Sequence, residues 1–398
     1  MKIKDIKKRN ISKILNALRK NNNTSKKDLS EIINLSPSTL TEICSDLLEQ
    51  GIIKELGEVN SDKPGRKKVL LSINYDYKKI IGVDIKNNFF SLTLTNLKGD
   101  VEAQKYFNRD TSEAYIFINE LIDEIKNFIT ENNLNKKELL GIGISIVGAI
   151  DFNTGSTMNF IGFWNESVPL KKIMEDKLEI PIYVNNNVKN LAIYQMFLDD
   201  EFSDFFFLKY GTGVGGSLVI QSELFKKESS LSGEIGHSII NNDENICPVC
   251  KRKGCFENNY SERAILEKIE RRYSKESTPI IYSMTFGNKS NLSFDTVLKA
   301  AESGEIIVLK ILQEAADYLA VLILNMFTLF YPKKIVLCGN IFKNDVFINY
   351  LFGYIHNKQI FDFKKIISVS TISEKEERCA PIFSVLKERF YIDRKSVV

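Results

Sequence analysis

His237, Cys247-Pro-Val-Cys250 and Gly254-Cys255 place three thiols and one imidazole within a short stretch of chain. No other feature restricts the fold as much, because three thiolates and an imidazole complete a tetrahedral zinc site and oblige the segments that carry them to meet. His237, Cys247, Cys250 and Cys255 are therefore expected to hold a structural zinc; the competing reading is a set of unrelated buried thiols. Cys44, Cys338 and Cys379 lie apart and read as core thiols. Six cysteines in 398 residues make no disulfide framework, which points to a reducing compartment.

The first 72 residues carry 15 Lys and Arg against 9 Asp and Glu, while the whole chain has a net charge of only +3. A basic head on a near-neutral body suits a phosphate-facing module, although a solvated lysine-rich start would show the same charge. Ile11, Ile14, Leu15 and Leu18 recur at helical spacing, and Leu29, Ile32 and Ile33 follow in a second short helix. Ser36 then caps a third helix with Pro37 at its first position and Leu40, Ile43, Leu47 and Leu48 on its apolar face. Its other face begins with Ser38, Thr39 and Thr41, short polar side chains that can approach base edges. Two strands, Ile52 to Leu56 and Val69 to Ile73, flank a loop containing Lys63, Arg66, Lys67 and Lys68. Together these predict a winged helix-turn-helix over residues 1–74. Ser36, Ser38, Thr39, Thr41, Lys63, Arg66, Lys67 and Lys68 are its candidate DNA contacts, with the basic tip reaching a minor groove. A small helical protein-interaction module with a basic hairpin is the alternative.

Beyond Asn74, strand patterns at Ile80–Ile85, Phe89–Leu94 and Val101–Phe107 precede a helix at Ala114–Glu131 and a buried strand from Gly141. A second set of strands begins at Ile182. Strands followed by helices, twice over, predict a two-lobed α/β body with a cleft: first lobe about 78–180, second about 181–398, with the zinc loop at 237–257. The apolar stretch Leu319–Tyr331 contains Asn325 and Thr328 and stops at Pro332, short of the ~20 residues that span a bilayer. No membrane partner is expected, and with no signal-peptide pattern at the N-terminus the chain reads as cytoplasmic.

The head, Gly211-Thr-Gly-Val-Gly-Gly216, Gly233-Glu-Ile-Gly-His237 and the cysteine motif ending in Cys255-Phe-Glu257 together resemble the ROK family of repressors and sugar kinases. The glycine run alone is weak, since a tight hairpin explains it equally well. The resemblance covers nearly the whole chain. It implies an actin-like, hexokinase-like (ribonuclease H-like) sugar-kinase fold, residues 75–398, behind the head. One departure is an extra residue between the first two cysteines, expected to be absorbed in the loop.

By that resemblance Glu234, His237, Glu257, Asn186 and Asn187 bind a small sugar, unless Glu234 and Glu257 only brace the zinc loop. Family kinases carry a general-base Asp where this chain reads Asn185-Asn-Asn187, with Asn187 at the base position. An amide cannot accept the hydroxyl proton, and a positioned base supplies ~10²–10⁴ in rate. The Gly-Gly-Thr phosphate turn is likewise replaced, by Ile85-Lys86-Asn87 after Asp84. The expectation is a non-enzyme: a homo-oligomeric, dimeric repressor of the xylose-repressor type that binds double-stranded operator DNA near carbohydrate genes and is released by sugar. An active sugar kinase that also binds DNA, or a regulator whose ligand strengthens DNA binding, remain alternatives.

Overall fold

The computed structural model describes residues 3–21, 23–59, 68–199, 202–225, 229–241, 245–358 and 365–391. In the head, α1 (Ile3–Asn21) is followed by β1 (Thr24–Ser25), α2 (Lys26–Ile33), α3 (Pro37–Glu49), β2 (Ile53–Val59) and β3 (Lys68–Ile73). Asn34 adopts a left-handed conformation (φ 53°) that ends α2. Ser36 caps α3, its side chain accepting the Thr39 N–H at 3.3 Å, and Pro37 takes the first turn, where a missing N–H costs nothing. Leu29, Leu40, Ile43 and Leu47 bury one face of these helices against Ile53, Leu71 and Ile73. The order β1-β3-β2 adds a strand to the two expected, because Thr24 and Ser25 pair with Leu71 and Leu70. Of the expected wing contacts, Lys63, Arg66 and Lys67 lie outside the described residues.

The first lobe is built on β4 (Lys79–Lys86), β5 (Phe89–Asn96), β6 (Val101–Asn108) and β7 (Leu139–Ile146), with α4 (Ala114–Glu131) between β6 and β7. A short hairpin, β8 (Ile150–Asp151) and β9 (Ser156–Thr157), leads to α5 (Leu170–Leu178) and β10 (Ile182–Asn186). The sheet order is β10-β7-β4-β5-β6. Here the expected start of the second lobe at residue 181 is corrected: Ile182–Asn186 pairs parallel with β7 as the edge of the first sheet.

The chain then crosses by α6 (Asn187–Leu198) to β11 (Phe205–Tyr210), β12 (Val214–Ile220) and β13 (Glu223–Leu224). Helices α7 (Phe256–Tyr260), α8 (Glu262–Glu270), α9 (Pro279–Met284), α10 (Phe294–Glu302) and α11 (Ile306–Phe330) precede β14 (Lys334–Cys338). After α12 (Asp345–Lys358) come β15 (Ile367–Val369), α13 (Glu374–Glu377) and α14 (Ala380–Val385). The order β13-β12-β11-β14-β15 repeats the first sheet: three antiparallel strands, then two parallel ones on the other side of the first. Two copies of one topology make the two-lobed kinase-like fold, headed by a winged helix-turn-helix.

Strand alternation explains why the C-terminus returns to the first lobe. Along β7, Ile142, Ile144 and Ile146 enter the core beneath α4 and α5, whereas Gly141 and Gly143 face α14. A Cβ on Gly143 would lie 2.1 Å from the Pro381 carbonyl oxygen, so glycine lets α14 lie directly on the sheet. Among the described residues no helix is long and apolar enough to cross a membrane. In the apolar stretch Leu319–Tyr331, Leu319, Ala320, Leu322 and Ile323 are buried, while Leu329, Phe330 and Tyr331 at the end are exposed.

Candidate functional site

The four predicted metal ligands converge. Their donor atoms all lie within 4.8 Å of one another, with Cys250 Sγ 3.3 Å from Cys255 Sγ and Cys247 Sγ 3.7 Å from His237 Nδ1. Metal–sulfur bonds of about 2.3 Å in a tetrahedron place sulfurs roughly 3.8 Å apart, so small adjustments would seat an ion. His237, Cys247 and Cys255 are buried and Cys250 is half-buried. Backbone bonds shape this knuckle: Cys247 N–H donates to Arg252 O at 2.8 Å, and Lys251 N–H to Cys247 O at 2.9 Å. Pro248 and Val249 therefore fit inside one tight turn, and the extra residue is absorbed there. The three remaining cysteines are buried, as expected of core thiols.

The glycine run Gly211–Gly216 forms the β11–β12 hairpin turn, with Tyr210 opposite Val214. The Gly233-Glu-Ile-Gly-His237 segment packs on its back: Gly216 N–H donates to Gly233 O at 2.7 Å. Gly233 has φ +99°, and a Cβ there would lie 1.9 Å from Gly216 O. Gly233→Ala is expected to cost about 2–4 kcal/mol through left-handed strain and overlap with backbone; a shift of the urea midpoint at unchanged slope checks it.

This packing brings two carboxylates together. Glu257 Oε2 accepts the Val214 N–H at 2.7 Å, which anchors the residue after the cysteine motif to the hairpin. Removal from water pushes the Glu234 carboxyl up to about 7, the nearby Glu257 charge adds to the rise, and Lys189 opposes it. Lys189 is itself buried and donates to Ser229 O at 3.1 Å. The asparagine run leads into α6, the helix that carries Lys189. Asn186 caps α6, its Oδ1 accepting from Val188 N at 2.8 Å and Lys189 N at 3.3 Å while its Nδ2 donates to Gly148 O at 2.9 Å. One amide hydrogen of Asn186 remains for a ligand. Asn187, the first residue of α6, is half-buried, and no residue at 185–187 carries a carboxylate.

At the β4–β5 turn, Lys86 Nζ lies 3.5 Å from Asp84 Oδ2, and burial raises the Asp84 carboxyl. A polar group unmarked by any motif sits beside the glycine hairpin. Lys209 on β11 pairs with Glu377 on α13, and burial lifts Glu262 to about 7 against the pull of Lys209. Residues 168 apart leave no local signal of such a pair. Lys189 was equally hidden, a lone lysine in an apolar helix.

On the head, Ser36, Ser38 and Thr41 are exposed on the first turns of α3, with Thr39 half-buried. Lys68 at the base of the wing is exposed but pairs with Asp28 at 3.2 Å, so its charge is partly spent within the head.

Comparison with known proteins agrees with this geometry. The profile of the "ROK family" matches residues 80–382, and that of "Winged helix-turn-helix DNA-binding" matches residues 8–54. The chain is 27% identical over 371 residues to the xylose repressor of Caldicellulosiruptor bescii, covering 91% of each. It is 26% identical to the xylose repressor of Bacillus subtilis over 85% of this chain and 84% of that one. With the DNA-binding transcriptional dual regulator NagC of Escherichia coli it shares 22% over 80% and 77%. A crystal structure of a ROK family transcriptional regulator, a homolog of the E. coli MLC protein, superposes with TM-score 0.81 at 19% identity over 96% and 97% of the two chains. A ROK family glucokinase from Streptomyces griseus gives TM-score 0.62 at 18% identity, with 97% of its length met by 76% of this chain. At such identities these two likenesses speak for the fold.

Proposed function

Because the chain belongs to the ROK family and carries a winged helix-turn-helix ahead of the family body, we propose that it is a transcriptional repressor released from its operator by a small sugar between its lobes. What supports this reading is Glu257 anchored beside Glu234 on the glycine hairpin, together with an asparagine run that has no carboxylate at 185–187. Glu234 and Glu257 can each accept hydroxyl hydrogens. A zinc bound through His237 Nδ1 leaves Nε2 for the sugar, and the ion would hold the imidazole and Glu257 in fixed relation. Asn187 can hydrogen-bond a hydroxyl but cannot remove its proton, so recognition persists without phosphoryl transfer. The pairing of Lys86 with Asp84 also engages the cation that a phosphate would need. Likeness to xylose repressors over nine-tenths of the chain favours a pentose as the first ligand to try.

Coupling to DNA has a physical carrier in α6. Its N-terminus is capped at the cleft by Asn186, and near its other end Phe197 lies under the Arg19 guanidinium of α1 at 4.9 Å. Ser12 and Asn16 of α1 donate to the Tyr391 carbonyl at 3.1 and 3.2 Å, and Tyr391 packs on Phe197. For sugar to release DNA it must favour one arrangement of this chain of contacts over the other. The exposed Leu329, Phe330 and Tyr331, with the Phe225 ring tilted against Phe330 at 6.0 Å, offer an apolar patch for a second copy. A twofold dimer would read a pseudo-palindromic operator in the cytoplasm.

The test is anisotropy of labelled DNA selected in vitro for binding this protein. D-xylose is expected to weaken binding at least tenfold. Ser38→Ala with Thr41→Ala should weaken DNA binding about tenfold and leave sugar affinity unchanged. Phosphorylation of xylose or glucose by ATP, abolished by Glu234→Ala, would overturn the proposal in favour of a kinase.

A further inference from the structure

Between β10, β13 and the C-terminal segment lies a partly open cavity of about 250 Å³, whose lining includes none of Asn186, Asn187, Glu234, His237 and Glu257. Its first-lobe wall is the edge strand β10 with Lys171 of α5. Its second-lobe wall is β13, and the C-terminal turn carrying Lys387 and Glu388 closes it. Asn185 lines it and is only 7% exposed. The Asn185 oxygen accepts the Asn186 N–H at 3.0 Å, which leaves its amide NH₂ for the space it lines.

The chemistry of the lining selects an occupant. Lys387 is neutralised by Glu223 at 3.0 Å, and Lys171 lies 5.9 Å from the Tyr183 ring with the Glu388 carboxylate among the lining groups. Two ammonium groups against two carboxylates leave no net charge to attract an ion. Amides, carboxylates and ammonium groups alternate with apolar surface from Leu224 and Ile193. Such a wall meets hydroxyls at its polar points and C–H faces between them. The volume falls below the ~300 Å³ at which pockets for drug-sized ligands begin, so the occupant is a single small ring.

We propose that this cavity is a second ligand site, for a neutral polyhydroxylated molecule of monosaccharide size. Its position gives it leverage. Asn185 holds the amide of the residue that caps α6, Ile193 is on α6 itself, and the walls come from both lobes. An occupant therefore biases the arrangement of the lobes, as a ligand held by Glu234 and Glu257 does, and the two affinities are linked reciprocally. The effect on DNA rests on the repressor reading; the site does not.

Isothermal titration of the full chain with D-xylose, D-glucose, N-acetylglucosamine, xylitol and myo-inositol, up to about 10 mM, tests it. The Glu234→Ala/Glu257→Ala variant removes the cleft contacts. At least one probe is expected to bind that variant at one site per chain. Adding Leu224→Trp, which fills the cavity, should abolish this binding, and the milder Asn185→Ala should weaken it at least tenfold. If no probe binds the double variant, or if binding survives both cavity changes, the proposal is overturned. If wild type and double variant bind alike and Leu224→Trp removes all binding, the cavity stands and the cleft reading fails.

Discussion

Metal-stripped protein, or the Cys255→Ser variant, is expected to lose sugar binding by at least a hundredfold while the head still binds DNA. Among the described residues, the segment between His237 and Cys255 is held by turn bonds and by isolated bridges, Ile239 to Cys255 and Ile246 to Lys253, and by no sheet. Ile239 and Ile246 are 60% exposed, so little apolar burial supports the loop. Without an ion, the loop is free to melt, releasing His237 and the segment that leads to Glu257. Losing two charged or strong hydrogen-bonding groups at about 1.5 kcal/mol each removes ~3 kcal/mol, or about a hundredfold in affinity. The lobes keep their own cores, so unfolding shifts down only by roughly 5–10 °C. Titration calorimetry and thermal unfolding before and after chelation check this, and added zinc but not magnesium should restore both. Undiminished sugar affinity in metal-free protein would show that Glu234 and Glu257 act without the loop.

Arg19→Ala is expected to leave sugar and DNA affinities individually near wild type and to collapse the coupling between them. The guanidinium lies 4.9 Å from the Phe197 ring and 5.8 Å from that of Tyr391, where a partly desolvated cation–π contact contributes about 1–2 kcal/mol. Coupling free energies between sites run about 1–3 kcal/mol, so losing this contact removes a large part of the whole. From Asn187 to Leu198, α6 spans roughly 18 Å, a rigid connection between the cleft and the head. Phe383 stacks on Tyr194 at 4.3 Å and packs on Phe197 at 5.2 Å, so the C-terminal helix moves with α6. Operator affinity with and without saturating sugar, in wild type, Arg19→Ala and Phe197→Ala, measures the coupling. Release by sugar is expected to shrink at least fivefold in both variants. Unchanged release would mean that the signal travels by another route.

Much of this molecule is legible as local pattern. The Ser36-Pro37 start of α3, the helix Ala114–Glu131 and the hairpin at the glycine run follow from interactions between residues a few positions apart. The convergence of His237, Cys247, Cys250 and Cys255 is readable from residue type and spacing, and the asparagines at 185–187 are plain in the sequence. The strand at Ile182 was legible as a strand but not as part of the first sheet, since a strand's period does not say which neighbour it will meet. A two-residue strand such as Thr24–Ser25 has no period at all.

What the sequence by itself determined is therefore the inventory: the winged head, the His237/Cys247/Cys250/Cys255 set, Glu234 and Glu257, and the asparagine run. Tertiary structure alone decided the connections. Ser12 meets Tyr391 across 379 positions, Lys209 meets Glu377 across 168, and Asn185 opens on a cavity walled by the C-terminal turn. The physical reason is that such contacts are chosen by the closure of the whole chain around shared cores, where partner identity depends on every intervening element and leaves no mark on either residue alone.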